Sequence, residues 1–232
     1  MHDLPPFPGF RSEAFDFLRQ LAQNNERDWF KARKTTYDDE VLWPTKCLVA
    51  DAARQMASLD LPLTGDPKHS LFRIYRDTRF SKNKQPYKTH AGAVLSRSGS
   101  RKDSGVVYIH VEPDKAFLAA GYWRPEASLL RAWRARLAEA PALFLNMAHT
   151  LDAAGLTLQH GDNTLKRMPR GYETLADTEA ATYLRWKSFL VTRPVPDEAL
   201  QSPDFTQAVV QMARESLPLL DYGWQLTEAV PS

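Results

Sequence analysis

From residue 12 to residue 58 the apolar side chains recur at three- and four-residue spacing, the period of helices with one face on a core. Phe15, Leu18, Leu21 and Ala22 predict a first helix from Ser12, read as its cap, to about Asn24. Asn25 is read as the cap of a second helix, with Glu26 and Asp28 favourable at the positive end of its dipole. That helix opens with Trp29, Phe30, Ala32 and Arg33 and is expected to reach Leu42, where Pro44 kinks or divides it. Helix resumes through Leu48, Ala52 and Met56, and LDLPLTGDPKHS reads as a loop.

At residue 71 the pattern switches to alternation, and β-branched and aromatic residues enter. LFRIYRD, THAGAVLS, GVVYIHVEP and KAFLAAGYW predict an antiparallel four-stranded meander over about residues 71–123. SRSGSRKDSG is expected to be a mobile hairpin loop and EPDK a tight turn. Helical spacing returns after Pro125 (Leu129, Leu130, Trp133, Leu137) and again from Pro141 to a stop at Gly155. LTLQH reads as a short strand, NTLKRMPRGYE as a basic loop, residues 178–186 as helix and SFLVTRPV as extended chain. A final helix is expected from Pro203 to Leu220, with Phe205, Val209, Met212 and Leu217 inward and Pro218 near its end. No repeat and no low-complexity linker interrupts the chain. The pattern predicts one α+β domain over residues 1–232, its meander covered by helices from the N- and C-terminal parts.

Composition narrows this picture. A chain of 232 residues, 43% hydrophobic and 25% charged, buries a core without disulfide or metal staples. Cys47 is the one cysteine, so no internal disulfide forms; it is expected as a small buried side chain, and a reducing, cytoplasmic setting fits. MHDLPPFPGFRSEAF lacks the charged start and apolar run of a signal peptide, and no stretch reaches the ~18 apolar residues of a membrane span, so no membrane partner is expected.

Charge changes the picture more. The formal charge is +2, yet residues 72–102 hold nine Lys or Arg and one acid, Asp77, for a local +8 that leaves −6 on the rest. Such segregation marks a surface or cleft that meets an anion. Alternation in LFRIYRD puts Phe72, Ile74 and Arg76 on one face, with Phe72 and Ile74 toward the core, and Leu71, Arg73, Tyr75 and Asp77 on the other. Arg73, Arg76 and Arg79 suit bidentate grip on phosphate or carboxylate. Lys82, Lys84, Tyr87 and Lys88 follow in a basic loop where Pro86 extends Gln85. Lys166 and Arg167 in LKRMPRGY, and Arg185 in YLRWKSF, are further candidate ligand contacts; sequence distance leaves open whether they join the first cluster. The bland alternative for all of these is a solvated face paired with the acidic remainder.

Other chemistry is sparse. There is no Gly-rich phosphate loop, no Gly-x-Ser-x-Gly elbow and no paired-cysteine zinc pattern. His110 and Glu112 share a strand face beside Tyr108, and His90 opens the preceding strand. These three are the candidate catalytic residues, and with Asp77 as an optional fourth member on adjacent strands they could hold a divalent metal or do acid–base work. The simpler reading assigns no metal: His and Glu hydrogen-bond each other or a nearby Arg. Trp123, flanked by Tyr122 and Arg124, is either a stacking platform or a rim residue.

FRIYRDTRFSKNKQPYKTHAGAVLSR, YIHVEPDKAFLAAGYWRPE and LKRMPRGY together resemble the domain of unknown function 2461 family, a group of conserved hypothetical proteins. The resemblance runs from NNERDWF to the last helix. It implies a single domain without an assigned activity and supplies no catalytic residues. Three functions therefore follow from the residues alone. The first is an enzyme or binder holding a small phosphorylated or carboxylated ligand in an Arg/Lys-lined pocket. The second is a nucleic-acid module using the 72–102 strip with Phe72, Tyr75, Phe80 and Tyr87. The third is a non-catalytic docking surface for an acidic protein. The low overall charge weakens the second, and arginines borne on a strand favour the first. Nothing in the sequence specifies a cofactor, a reaction or an oligomeric state.

Overall fold

The computed structural model describes residues 4–162 and 164–229, so Asn163 of the expected basic loop lies outside the described residues. Helix α1 is Ser12–Gln23, with Phe15, Phe17, Leu18 and Leu21 buried. Its cap is Arg11 rather than Ser12, whose hydroxyl donates instead to Glu13. Helix α2 is Arg27–Ala32, capped by Glu26; Asn25 has a different task, described below. A single turn, α3 (Lys34–Thr36), leads into a wide turn over Tyr37–Leu42 in which Trp43 N–H reaches back five residues to the Asp38 carbonyl. Helix α4 (Trp43–Ser58) then starts with Pro44 in its first turn, where a missing N–H breaks nothing. Pro44 thus marks the division expected at this point.

The sheet is four-stranded and antiparallel in the order β1-β2-β3-β4, with β1 Ala91–Leu95, β2 Val106–Val111, β3 Phe117–Tyr122 and β4 Phe189–Pro194. The α+β class stands, but the fourth strand is SFLVTRPV and not LFRIYRD. Residues 71–77 make only isolated bridges, Leu71 with Ala93 and Tyr75 with Tyr87. Pro86 explains part of this: it accepts from Arg76 N–H at 2.8 Å but has no N–H to return. The EPDK turn forms as expected, with Lys115 N–H on the Glu112 carbonyl and Asp114 at φ 62°. The SRSGSRKDSG loop is better held than a mobile loop would be. Asp103 accepts from the Ser98 N–H and hydroxyl, and the Arg101 guanidinium donates to the His69 and Leu71 carbonyls.

The remaining elements are α5 (Ala127–Glu139), α6 (Pro141–Ala153), α7 (Ala180–Leu184), α8 (Asp197–Gln201) and α9 (Phe205–Ala229). LTLQH contributes one bridge, Gln159 with Leu190. Helix α9 runs on past Pro218 because its far end is anchored. Leu219, Leu220 and Trp224 are buried, the Tyr122 hydroxyl donates to the Leu220 carbonyl at 2.6 Å, and Trp224 Nε1 donates to the Ser104 carbonyl at 3.2 Å. None of the described helices is long and apolar enough to cross a membrane.

The chain divides into two compact units. The first holds the residues up to Asp103 with Val107–Leu118 and Pro194–Gln211. Its core joins the Phe7, Phe10 and Phe15 rings to Phe205, and Asp51 ties two segments by accepting from Phe7 N–H and the Thr206 hydroxyl. The second holds Ser104–Val106, Ala119–Arg193 and the chain from Met212 onward. Trp133 of α5 centres it, stacked on Phe189 at 4.1 Å and edge-on to Tyr122 at 5.4 Å.

Candidate functional site

The basic segment belongs to the first unit and is anchored by its apolar residues. Leu71 and Ile74 are buried, each burial stabilising by roughly 1.5–3 kcal/mol. Main-chain bonds then fold the segment on itself: Lys88 N–H donates to the Ile74 carbonyl and Arg76 N–H to that of Pro86, both at 2.8 Å. Asn25 completes the brace. Its Nδ2 donates to the Tyr87 carbonyl at 3.1 Å and its Oδ1 accepts from Tyr87 N–H at 3.0 Å. The Tyr87 ring lies stacked on Phe30 at 4.1 Å, so α2 and the basic segment share one aromatic floor.

Over that floor opens a cleft of about 480 Å³. Arg27, Lys31 and Lys34 line one side, and Tyr75, Arg76 and Thr78 the other; Asp28 is the one acid in the lining. A second cleft of about 310 Å³ adjoins it and shares Phe30, Lys34 and Tyr75, with Lys46, Lys68 and Arg73 as its further cations. Tyr75 is 57% exposed, a large ring held at the border of the two. Arg27, Lys31, Arg73 and Arg76 have no ion-pair partner among the described residues, whereas Lys34 is paired with Asp38.

The expected ligand contacts separate accordingly. Arg76 and Tyr87 line the larger cleft, and Arg73 lines the smaller one. Arg79 turns away into a bidentate pair with Asp77, at 3.0 and 2.7 Å, and that hydrogen bonding holds the Asp77 carboxyl down at about 2. Lys84 donates to the Thr78 carbonyl at 3.0 Å and Lys82 is exposed. Lys88 lies over the Phe72 ring at 5.2 Å, and burial, with Arg101 nearby, lowers its pKa. Lys166, Arg167 and Arg185 are in the second unit, where Leu165 N–H donates to the Arg185 carbonyl. Trp123 is also in that unit, 52% exposed with Arg124 over its ring. Sequence reasoning missed Arg27, Lys31, Lys34, Lys46 and Lys68. The first three carry a legible signal, a spacing of four and then three that puts them on one helical face.

A separate polar group occupies the outer face of β2. Tyr108, His110 and Glu112 alternate with the buried Val107, Ile109 and Val111. The Tyr108 hydroxyl bonds His110 Nδ1 at 3.0 Å, His110 Nε2 bonds Glu112 Oε2 at 3.0 Å, and the Thr89 hydroxyl donates to Glu112 Oε1 at 3.1 Å. Burial pushes the Glu112 carboxyl up, but the bonds from His110 and Thr89 outweigh it and leave the pKa lowered. His110 stacks on Phe117 at 4.6 Å and lies 4.2 Å from the His90 ring. Burial, and then His110, push His90 down to about 4. Gly92, paired with His110 across the strands, leaves the space this chain needs: a Cβ there would stand 2.9 Å from the Tyr108 hydroxyl. His and Glu do hydrogen-bond each other, as the simpler reading expects, and the cluster also brings His90 within reach. Cys47 is fully buried, and burial raises its thiol.

The family described as conserved hypothetical protein (DUF2461) matches residues 13–222. The chain belongs to the DUF2461 family. Both the clefts and the β2 cluster of this DUF2461 chain fall inside the matched residues. Comparison with curated proteins and with solved structures returned no match.

Proposed function

We propose that this DUF2461 protein is an anion-binding protein whose first unit holds a small phosphorylated or carboxylated ligand in the cleft between Arg76 and the Arg27–Lys31–Lys34 face. The observation that carries the reading is the set of cations without carboxylate partners on both sides of one cleft. Like charges ~4 Å apart repel by about 1 kcal/mol in bulk water and about 4 near a protein surface, so such a grouping is relieved by an anion. Arg76 is half-buried with Pro86 and Tyr87 beside it, which favours a fixed fork over a freely solvated side chain. The aromatic floor and the exposed edge of Tyr75 offer a flat apolar part of the ligand a place to stack. The reading places the protein in a reducing, cytoplasmic compartment, in keeping with a single buried cysteine.

Thermal stability measured against phosphate, sugar phosphates, nucleotides, carboxylates and short oligonucleotides tests this. A ligand at about 100 times its dissociation constant that binds only the folded protein adds about 2.7 kcal/mol. Stabilisation by a small anion, lost in Arg76→Ala, is expected. Stabilisation by oligonucleotides alone, falling steeply with salt and sensitive to Lys82 and Lys84, would replace the pocket with a nucleic-acid surface. A flat response to the whole panel would sink the reading and leave docking of an acidic protein.

A further inference from the structure

His90 is the part of the β2 cluster that hydrogen bonding does not account for. Tyr108, His110, Glu112 and Thr89 form a closed chain of bonds. His90 is half-buried against the His110 ring, yet its ring nitrogens have no hydrogen-bond partner among the described residues. An unpartnered ring nitrogen that is not sealed from solvent is free to take a ligand.

We propose that His90, His110 and Glu112 form a binding site for one divalent transition-metal cation. One donor atom from each of the three lies within 4.8 Å of the other two. Bonds of about 2.1 Å around one ion place neighbouring donors about 3.0 to 3.4 Å apart, depending on geometry. His110 Nε2 and Glu112 Oε2, 3.0 Å apart, already stand at that spacing, and a His90 ring nitrogen completes the group of three within 4.8 Å. Two imidazoles and one carboxylate select a zinc- or iron(II)-like ion over magnesium or calcium, which take oxygen ligands.

The surroundings are those that orient metal ligands. When Nε2 of His110 gives its lone pair to the ion, its proton moves to Nδ1, and the Tyr108 oxygen stands 3.0 Å away to accept it. Thr89 holds Oε1 of Glu112, which leaves Oε2 for the ion. Phe117 fixes the plane of the His110 ring. The His110 and Glu112 side chains keep 11% and 24% of their accessibility, so water or a ligand oxygen can complete the coordination. Lys88 is the neighbouring cation that opposes a positive ion; the Glu112 carboxylate offsets it. This site does not depend on the anion-binding reading.

The test is calorimetric titration of the chelator-stripped full chain with zinc chloride, with magnesium chloride as comparison. One zinc per chain is expected and no magnesium. His90→Phe keeps a ring against His110 and loses no hydrogen bond, so it folds; it should weaken zinc binding at least 10-fold, and so should Glu112→Gln. Tyr108→Phe should weaken it by about 10-fold through the His110 ring. His69→Ala, at an exposed histidine paired with Asp66, should change nothing. No zinc binding by the unaltered chain, or binding unchanged in His90→Phe as judged on protein with an unchanged melting profile, overturns the proposal.

Discussion

Asn25 and Tyr87, 62 residues apart, are joined by two hydrogen bonds in opposite directions, so one side chain does for Tyr87 what a neighbouring strand would do. The pair is buried, and it fixes the ring that floors the larger cleft. Asn25→Ala leaves the Tyr87 N–H and carbonyl without partners, and the expected loss is about 2 kcal/mol or more. Chemical denaturation measures it. Asn25→Asp keeps one acceptor but turns a carboxylate oxygen on the Tyr87 carbonyl. It should be as destabilising at neutral pH and recover in acid, as the carboxyl protonates and can donate. Equal stability of all three proteins would mean that the brace is dispensable.

The cations of the first unit should not respond alike. Arg27, Lys31 and Arg76 face one cleft, whereas Arg79 is held by both oxygens of Asp77. A hydrogen bond to a charged group contributes about 1.5–3 kcal/mol, so removing a true contact weakens binding by roughly 10- to 100-fold. Arg27→Ala and Lys31→Ala are expected to show that loss with the anion that stabilises the native protein, and Arg79→Ala to bind it unchanged. An effect at Arg79 as large as at Arg76 would move the site from the cleft to the basic loop.

What the sequence revealed follows from how local each signal is. Strands β1, β2 and β3 are legible because β2 alternates, β1 and β3 are short apolar runs, and each meets its neighbour across a short connection. LFRIYRD alternates just as well, but its partners are divided between residues 86–88 and 92–94, so it pairs by single bridges and not as a ladder. Strand β4 lies about 70 residues beyond β3, and nothing local names that partner. Asn25 reads as a helix cap because an Asn before an acidic first turn is a local pattern; its actual partner is remote. At the candidate site, the arginines of 73 and 76 stood out through charge density. Arg27, Lys31 and Lys34, which line the larger cleft with Arg76, are spread over a longer, more acidic stretch and stand out less.

Gly121 tests the sheet in the second unit. Its φ is 126°, and a Cβ built there would stand 2.1 Å from the Phe189 carbonyl oxygen, a main-chain atom that cannot swing aside. Gly121→Ala therefore forces β3 and β4 apart and strains a backbone that favours glycine. The expected cost is about 3 kcal/mol or more, read by chemical denaturation. A loss under about 1 kcal/mol would show that the two strands adjust independently of that contact.

Tyr222 carries a hydroxyl that is buried without a hydrogen-bond partner, while its ring packs on Trp133 at 4.9 Å and Phe144 at 5.6 Å. Tyr222→Phe keeps the ring and removes the unpaired group, so it should raise stability by about 1 kcal/mol at neutral pH. Alkali should separate the two proteins further. Burial pushes Tyr222 up to about 12 from an ordinary 10.0, and burial with Asp38 does the same to Tyr37. Between those values the unfolded chain has lost protons that the folded chain still holds. Stability is thus intact below pH 10.0 and falls as pH rises toward about 12. The loss is on the order of 2 kcal/mol per tyrosine, reduced by whatever solvent reaches the ring. Tyr222→Phe should show a shallower decline over this window, with Tyr37 still contributing. Parallel declines would mean that the Tyr222 hydroxyl ionises in the folded protein as it does in water, and so that it is not sealed in at all.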